Sequence, residues 1–89
     1  MYDVHLYVFD PMNKVIERRC IHNTTVESDK VRRTAEFILQ DYSNKFEAIA
    51  VPDRDGLKEE FWAAAKSRDF SDRYIFRDTV TKEGLCFHY

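Results

Sequence analysis

Alternating apolar and polar positions open the chain and predict a β-hairpin. In residues 2–9 the even positions 4, 6 and 8 are aliphatic, whereas the odd positions carry a histidine and two aromatic rings. The segment Asp10-Pro11-Met12-Asn13 has the residue types of a type I turn, with Asn where left-handed backbone is tolerated. Residues 14–23 are then expected to return as the second strand.

Helical spacing appears twice after this hairpin. Thr24-Thr25-Val26-Glu27 matches a capping box, and apolar residues recur behind it at three- and four-residue spacing, which predicts a helix over about residues 25–43. A second apolar stripe, which begins at Leu57, predicts a helix that ends near Ser67.

Strands are expected between and after the helices. Residues 46–51 are apolar on both faces apart from Glu47, which favours a central strand covered by helices. Residues 73–80, a turn at Gly84 and residues 85–89 predict a closing hairpin. The resulting order is ββαβαββ. It predicts one α+β domain over residues 1–89, with two helices packed on one face of a four- or five-stranded mixed sheet. The expected domain is complete and stands alone.

Composition and charge exclude several classes of protein. The chain has 89 residues, of which 44% are hydrophobic, so a folded core is expected. Fourteen basic residues stand against 16 acidic ones, a balance that argues against a dedicated nucleic-acid binder. The longest apolar runs are far below the roughly 20 residues of a membrane span. The N-terminus does not resemble a signal peptide. With only two cysteines, we expect a cytoplasmic protein.

Two Cys-x-His pairs are the strongest candidates for chemistry. Cys20 and His22 lie on the second predicted strand, and Cys86 and His88 lie on the last. If those strands were neighbours, the four side chains could surround one Zn²⁺ ion. A Cys–His nucleophile pair is the alternative enzyme hypothesis, although no third orienting group is evident. The spacing differs from that of usual zinc ligands, so we expect buried structural cysteines, with no metal and no cofactor.

A basic stretch next to aromatic residues raises a nucleic-acid alternative. Arg18, Arg19, Arg32 and Arg33 are close in sequence, and aromatic residues of the first strand are able to lie beside them. Basic and aromatic groups on one sheet face are typical of single-stranded nucleic-acid binding. Acidic residues are interleaved with these arginines, which instead favours a solvated face of mixed charge.

Surplus aromatic residues favour protein binding. Trp62 and Phe37 fall off the apolar stripes of their predicted helices, and Phe87 and Tyr89 alternate on the last strand. Trp, Tyr and Arg are the usual anchors of protein interfaces. The expected partner-binding residues are Trp62, Tyr89, Phe87, Arg18, Arg19, Arg32 and Arg33. A homodimer through the edge of the last strand is also expected, because pairing would satisfy its backbone groups. The alternative is a monomer that binds its partner through this edge or through the Trp62 region.

The sequence therefore predicts a non-catalytic interaction module that binds another protein or protein complex. In size and layout the chain is similar to the small inhibitors carried by phages and mobile elements, including anti-CRISPR proteins. The resemblance is architectural and rests on no particular residue. It implies an inhibitor of a host complex. A single-stranded nucleic-acid binder and a small zinc-dependent or Cys–His enzyme are the alternatives.

Overall fold

Strands and helices follow one another in the order β-β-α-β-α-β. A computed structural model describes residues 1–42, 45–67 and 85–88. Its elements are β1 (Tyr2–Phe9), β2 (Val15–Thr24), α1 (Asp29–Leu39), β3 (Glu47–Pro52), α2 (Leu57–Ser67) and β4 (Leu85–His88). The α+β class and the two helices are confirmed. The predicted strand over 73–80 and the turn at Gly84 lie outside the described residues, so the complete strand number and order stay predictions.

The described strands form one sheet in the order β2-β1-β3-β4. Each neighbouring pair is antiparallel. There is no parallel pair in the described part of the sheet, so the expectation of a mixed sheet is not met there. β1 and β3 are the two inner strands. The expectation that residues 46–51 form a central strand is confirmed in this part of the sheet.

The β1–β2 hairpin closes through the turn that the sequence predicts. One carboxylate oxygen of Asp10 accepts hydrogen bonds from the backbone N–H groups of Met12 and Lys14, at 2.9 and 2.8 Å. Asn13 has a φ of 63°, the left-handed conformation for which Asn is suited. The hydrogen bonds of Asp10 and the left-handed conformation of Asn13 therefore define the turn.

The two helices cover opposite faces of the sheet, and the prediction that both pack on one face is wrong. α1 packs on the face formed by the even positions of β1, Val4, Leu6 and Val8. α2 packs on the odd positions, where Tyr7 and Phe9 lie under Phe61. The reason is that β1 is buried on both faces from Val4 to Phe9, and each apolar face needs its own helix.

The start of α1 also differs from the prediction. Ser28 is the N-cap, and its hydroxyl oxygen accepts a hydrogen bond from the backbone N–H of Val31 at 3.3 Å. Thr24 still belongs to β2, and its hydroxyl donates to the Ser28 hydroxyl oxygen at 2.7 Å. The expected capping box at residues 24–27 is therefore wrong, because the strand continues through the first of its residues.

The core on the α1 side follows the predicted stripe. Val31, Ala35, Ile38 and Leu39 are buried against the sheet. Phe37, off this stripe, is 66% exposed. None of the described helices has the length and apolar character needed to cross a membrane.

Candidate functional site

Two cations lie close to the ring of Trp62 on α2. Trp62, the single tryptophan of the chain, is half-buried and stacks on Tyr7, with ring centroids 5.3 Å apart and planes inclined by 28°. The guanidinium carbon of Arg18 lies 5.0 Å from the Trp62 ring centroid, and the Lys66 ammonium nitrogen lies 5.5 Å away. Both distances are within cation–π range. Trp62, Arg18 and Lys66 are named the Trp62 patch below.

The Trp62 patch rests on a buried support. Tyr7 is fully buried and contacts Phe61, with ring centroids 4.8 Å apart. Its hydroxyl donates a hydrogen bond to the backbone carbonyl of Lys58 at 3.3 Å. Burial raises the pKa of Tyr7 to about 12, so the ring stays neutral at physiological pH. Trp62 therefore stacks on a ring that the core holds in place.

The four arginines predicted to bind a partner do not form one surface. Arg18 lies on the α2 side of the sheet, beside Trp62. Arg19 is its neighbour on β2 and points to the α1 side, where it forms an ion pair with Glu17 at 2.9 Å. Arg32 and Arg33 are exposed residues of α1. Only Arg18 belongs to the Trp62 patch; the role of the other three arginines in partner binding stays a prediction.

Two further predicted partner-binding residues, Phe87 and Tyr89, belong to the last strand of the sequence prediction. Phe87 is only 7% exposed and packs in the core on the α1 side, with the Arg32 guanidinium carbon 5.3 Å from its ring centroid. It is a core residue, because α1 covers this face of β4; its role in partner binding stays a prediction. Tyr89 lies outside the described residues.

Three metal-ligand types converge where β1 begins and β2 ends. Cys20 and His22 alternate on β2, and the Cys20 sulfur lies 3.6 Å from His22 Nδ1. Asp3 Oδ2 lies 3.2 Å from the same nitrogen. The donor atoms of all three residues lie within 4.8 Å of one another. Asp3, Cys20 and His22 are named the Asp3 cluster. Sequence reasoning identified Cys20 and His22 but missed Asp3.

The Asp3 cluster is not arranged for nucleophilic catalysis. In a relay, the nucleophile and the carboxylate contact opposite nitrogens of the histidine, whereas Cys20 and Asp3 both contact Nδ1. Burial raises the pKa of the Cys20 thiol, and the charge of Asp3 raises it further. A reactive cysteine needs a lowered pKa. The backbone N–H of Asn23 and the ring of His22 lower the pKa of Asp3, which keeps that carboxylate charged.

The four-ligand zinc site is not compatible with the observed strand order. It requires β2 and β4 to be neighbours, but β1 and β3 lie between them. Three strand spacings of about 4.8 Å separate the two strands by about 14 Å. Cys20 and His22 therefore lie at the opposite edge of the described sheet from the strand that carries Cys86 and His88, and the condition for that alternative fails.

A buried histidine lies next to the Asp3 cluster. His5 is 6% exposed and is the strand partner of Cys20. Its Nε2 is 3.6 Å from Asp53 Oδ2, and neither ring nitrogen has a hydrogen-bond partner among the described residues. Burial lowers the pKa of His5, and the nearby charges of Lys58 and Arg18 act in the same direction, whereas Asp53 opposes them.

We expect His5 to make the stability of the fold depend on pH. Because its pKa is below 6.5 in the folded chain, the unfolded chain takes up a proton first as the pH falls. The contribution of His5 to the free energy of unfolding is then fully present above pH 6.5. It declines as the pH decreases toward the pKa of His5 in the folded chain. Urea unfolding at about pH 7.5 and about pH 5.5 measures the decline. His5→Gln should remove most of this decline in stability. An identical decline in that variant would contradict the assignment of the pH dependence to His5.

Comparison of the chain with protein-family models, with curated proteins and with solved structures found no match in any of the three.

Proposed function

We propose that this domain is a non-catalytic interaction module that binds another protein through the Trp62 patch. The observation that carries the proposal is the half-buried Trp62 ring, stacked on buried Tyr7 and flanked by Arg18 and Lys66. Trp and Arg are enriched among the residues that contribute most binding energy at protein interfaces. The matching partner surface has an apolar contact for the ring and acidic groups beside it.

Preorganisation of the ring supports this role. Immobilising a mobile side chain on binding costs about 0.5–1.5 kcal/mol, and stacking on Tyr7 meets part of that cost before the partner arrives. Lys66 is exposed on α2, and Arg18 is exposed on β2. Their charges are therefore available to a partner carboxylate as well as to the ring.

The nucleic-acid alternative receives less support from the geometry. Tyr7 and Phe9 are 0% and 1% exposed, so a base cannot stack on them. The arginines are divided between the two faces of the sheet, which leaves no single basic path along the described surface for a phosphate backbone.

The enzyme alternative is also less favoured. The only cysteine whose side chain is described, Cys20, has a raised pKa, and it shares one histidine nitrogen with Asp3. This arrangement supplies neither a thiolate nor a proton relay.

The experiment that tests the proposal compares partner binding by three proteins. The partner is isolated by chemical crosslinking to the domain in extracts of the source organism, purified and titrated with wild type, Trp62→Ala and Phe37→Ala. Phe37 is the matched control, because it is an exposed aromatic residue on the other helix. We expect binding to weaken in Trp62→Ala alone. Equal affinities for all three proteins would refute the role of the Trp62 patch.

We also propose that β4 pairs with β4 of a second copy. It lies at one edge of the described sheet, and no described strand pairs with its outer side. Its sequence, Leu85-Cys86-Phe87-His88, has no acidic or basic residue other than histidine, whereas the other edge strand, β2, carries charges that discourage pairing. Antiparallel pairing across a two-fold axis would satisfy the backbone groups on that side of β4.

Sedimentation velocity over a wide range of protein concentration tests the dimer. We expect the sedimenting mass to approach twice that of one chain as concentration rises. Trp62→Ala should dimerise like wild type, because Trp62 packs on β1 rather than at the β4 edge. A monomer at every concentration would exclude the pairing.

A further inference from the structure

The Asp3 cluster has the donors and the spacing of a transition-metal site. We propose that Asp3, Cys20 and His22 bind one Zn²⁺ ion, with Asp3 Oδ2, the Cys20 sulfur and His22 Nδ1 as ligands. This site is separate from the Trp62 patch, and it differs from a four-ligand site because β4 contributes nothing to it.

An irregularity in the hairpin brings the three residues together. Tyr2 pairs with Thr24, but Val4 pairs with Ile21, so two β2 residues, His22 and Asn23, lie opposite Asp3. Asn23 has a φ of 55°, the left-handed conformation that Asn tolerates better than most residues. Such bulges redirect side chains and are frequent beside functional sites.

The distances agree with tetrahedral coordination. With zinc–sulfur and zinc–nitrogen bonds of about 2.3 and 2.05 Å, two ligands at a tetrahedral angle lie about 3.6 Å apart. The Cys20 sulfur and His22 Nδ1 are 3.6 Å apart. The corresponding nitrogen–oxygen distance is about 3.4 Å, and His22 Nδ1 is 3.2 Å from Asp3 Oδ2. The Cys20 sulfur and Asp3 Oδ2 lie within 4.8 Å of each other, against about 3.6 Å in a tetrahedral site. This third pair must close for the donors to enclose the ion.

The carboxylate of Asp3 is already oriented for this role. Its Oδ1 accepts a hydrogen bond from the backbone N–H of Asn23 at 3.1 Å, which leaves Oδ2 directed toward His22. Hydrogen bonds of this kind hold ligands in position around metal ions. The metal displaces the proton of the Cys20 thiol when it binds. The resulting thiolate, with imidazole and carboxylate, selects zinc over magnesium or calcium, which prefer oxygen ligands alone.

His5 provides an independent observation at the same place. It lies on the same face of β1 as Asp3 and opposite Cys20. Its Nε2 is 3.6 Å from Asp53 Oδ2, which is beyond hydrogen-bond distance, so both buried ring nitrogens are without a hydrogen-bond partner in the described residues. Buried polar atoms without partners are uncommon and often indicate an unseen ion or water molecule. With three protein ligands, zinc keeps a fourth position for water, and that water is a suitable partner for a neighbouring imidazole.

Cobalt spectroscopy on chelator-treated protein tests the site directly. Co²⁺ replaces Zn²⁺ in tetrahedral sites, and a cysteine ligand adds a thiolate-to-cobalt charge-transfer band. We expect both the tetrahedral bands and the charge-transfer band to saturate at one ion per chain, and Zn²⁺ to abolish them by displacement. Absence of a charge-transfer band at saturating Co²⁺ would overturn the proposal.

The chain offers matched controls for each ligand. Cys20→Ser should abolish the charge-transfer band, whereas Cys86→Ser should keep it; His22→Ala and His88→Ala form a second pair with the same expectation. Loss of His22 should weaken the metal affinity by more than about 100-fold, because even second-shell losses cost about 10–100-fold. Equal loss of the band in folded Cys20→Ser and Cys86→Ser proteins would overturn the assignment.

Asp3→Asn keeps the assignment testable if a cysteine variant fails to fold. Asparagine retains an oxygen for the Asn23 N–H but loses the charged ligand, so we expect weaker Co²⁺ binding with an unchanged circular dichroism spectrum. An unchanged Co²⁺ affinity in this variant would remove Asp3 from the site and overturn the three-ligand proposal.

Discussion

Replacing Phe61 by alanine is expected to lower the free energy of unfolding by about 3–5 kcal/mol, the usual cost of removing a buried aromatic ring. Phe61 is 0% exposed. It packs edge-on against Phe9, with ring centroids 6.3 Å apart, and contacts Tyr7 at 4.8 Å. These contacts join α2 to the face of the sheet that carries Tyr7 and Phe9, so their loss exposes that face. Urea unfolding of wild type and Phe61→Ala measures the difference.

Phe37→Ala is the control for this experiment. The Phe37 ring is 66% exposed, so its removal should change stability by no more than about 0.5 kcal/mol. A small effect in both variants would contradict the placement of α2 over Tyr7 and Phe9. It would then also contradict the assignment of the helices to opposite faces.

Trp62→Ala is expected to weaken partner binding by about 2–4 kcal/mol, or about 30- to 1000-fold, the range of a central interface anchor. The substitution removes the ring that Tyr7 supports and also the contact surface of Arg18 and Lys66. The ring is half-buried, so the fold should persist with a smaller loss of stability than in Phe61→Ala. Isothermal titration with the purified partner, beside an unfolding curve, separates the two effects.

Charge reversal at Arg18 tests the electrostatic part of the same surface. Arg18→Glu should slow association and reduce its salt dependence, because charges at an interface rim mainly affect the encounter rate. Arg19→Glu is the matched control, since Arg19 lies on the opposite face of the sheet. Equal effects of the two variants would place the contact outside the Trp62 patch.

Local patterns in the sequence were sufficient to predict most of the individual helices, strands and turns that the structure describes. The turn at residues 10–13 and the stripe of α1 depend on neighbours in the chain, and both are confirmed. The distribution of the helices was not predictable in the same way. The sequence predicts both helices on one face of the sheet, but the aromatic residues on the odd positions of β1 form a second core under α2. The alternation of residue types distinguishes the two faces of a strand, but it does not show which of them a helix covers.

The Asp3 cluster was also only partly predictable from the sequence. Cys20 and His22 stand out in the sequence, but Asp3 joins them only through the bulged register between β1 and β2. Arg18 and Arg19 are different, because the alternation of a strand already places adjacent residues on opposite faces. Their separation onto two faces was therefore predictable from the sequence. An architectural resemblance without residue matches, such as that to small phage inhibitors, offers no comparable guide to the partner.

The emission of Trp62 is the most direct test of the central claim, because this ring is the only tryptophan of the chain. Titration with a partner, itself observed separately, should shift the emission to shorter wavelength and saturate as the complex forms, since binding removes water from the exposed part of the ring. Phe37→Ala should give the same shift. A partner that binds at full affinity without changing Trp62 emission would contradict the proposal that the Trp62 patch is the binding surface.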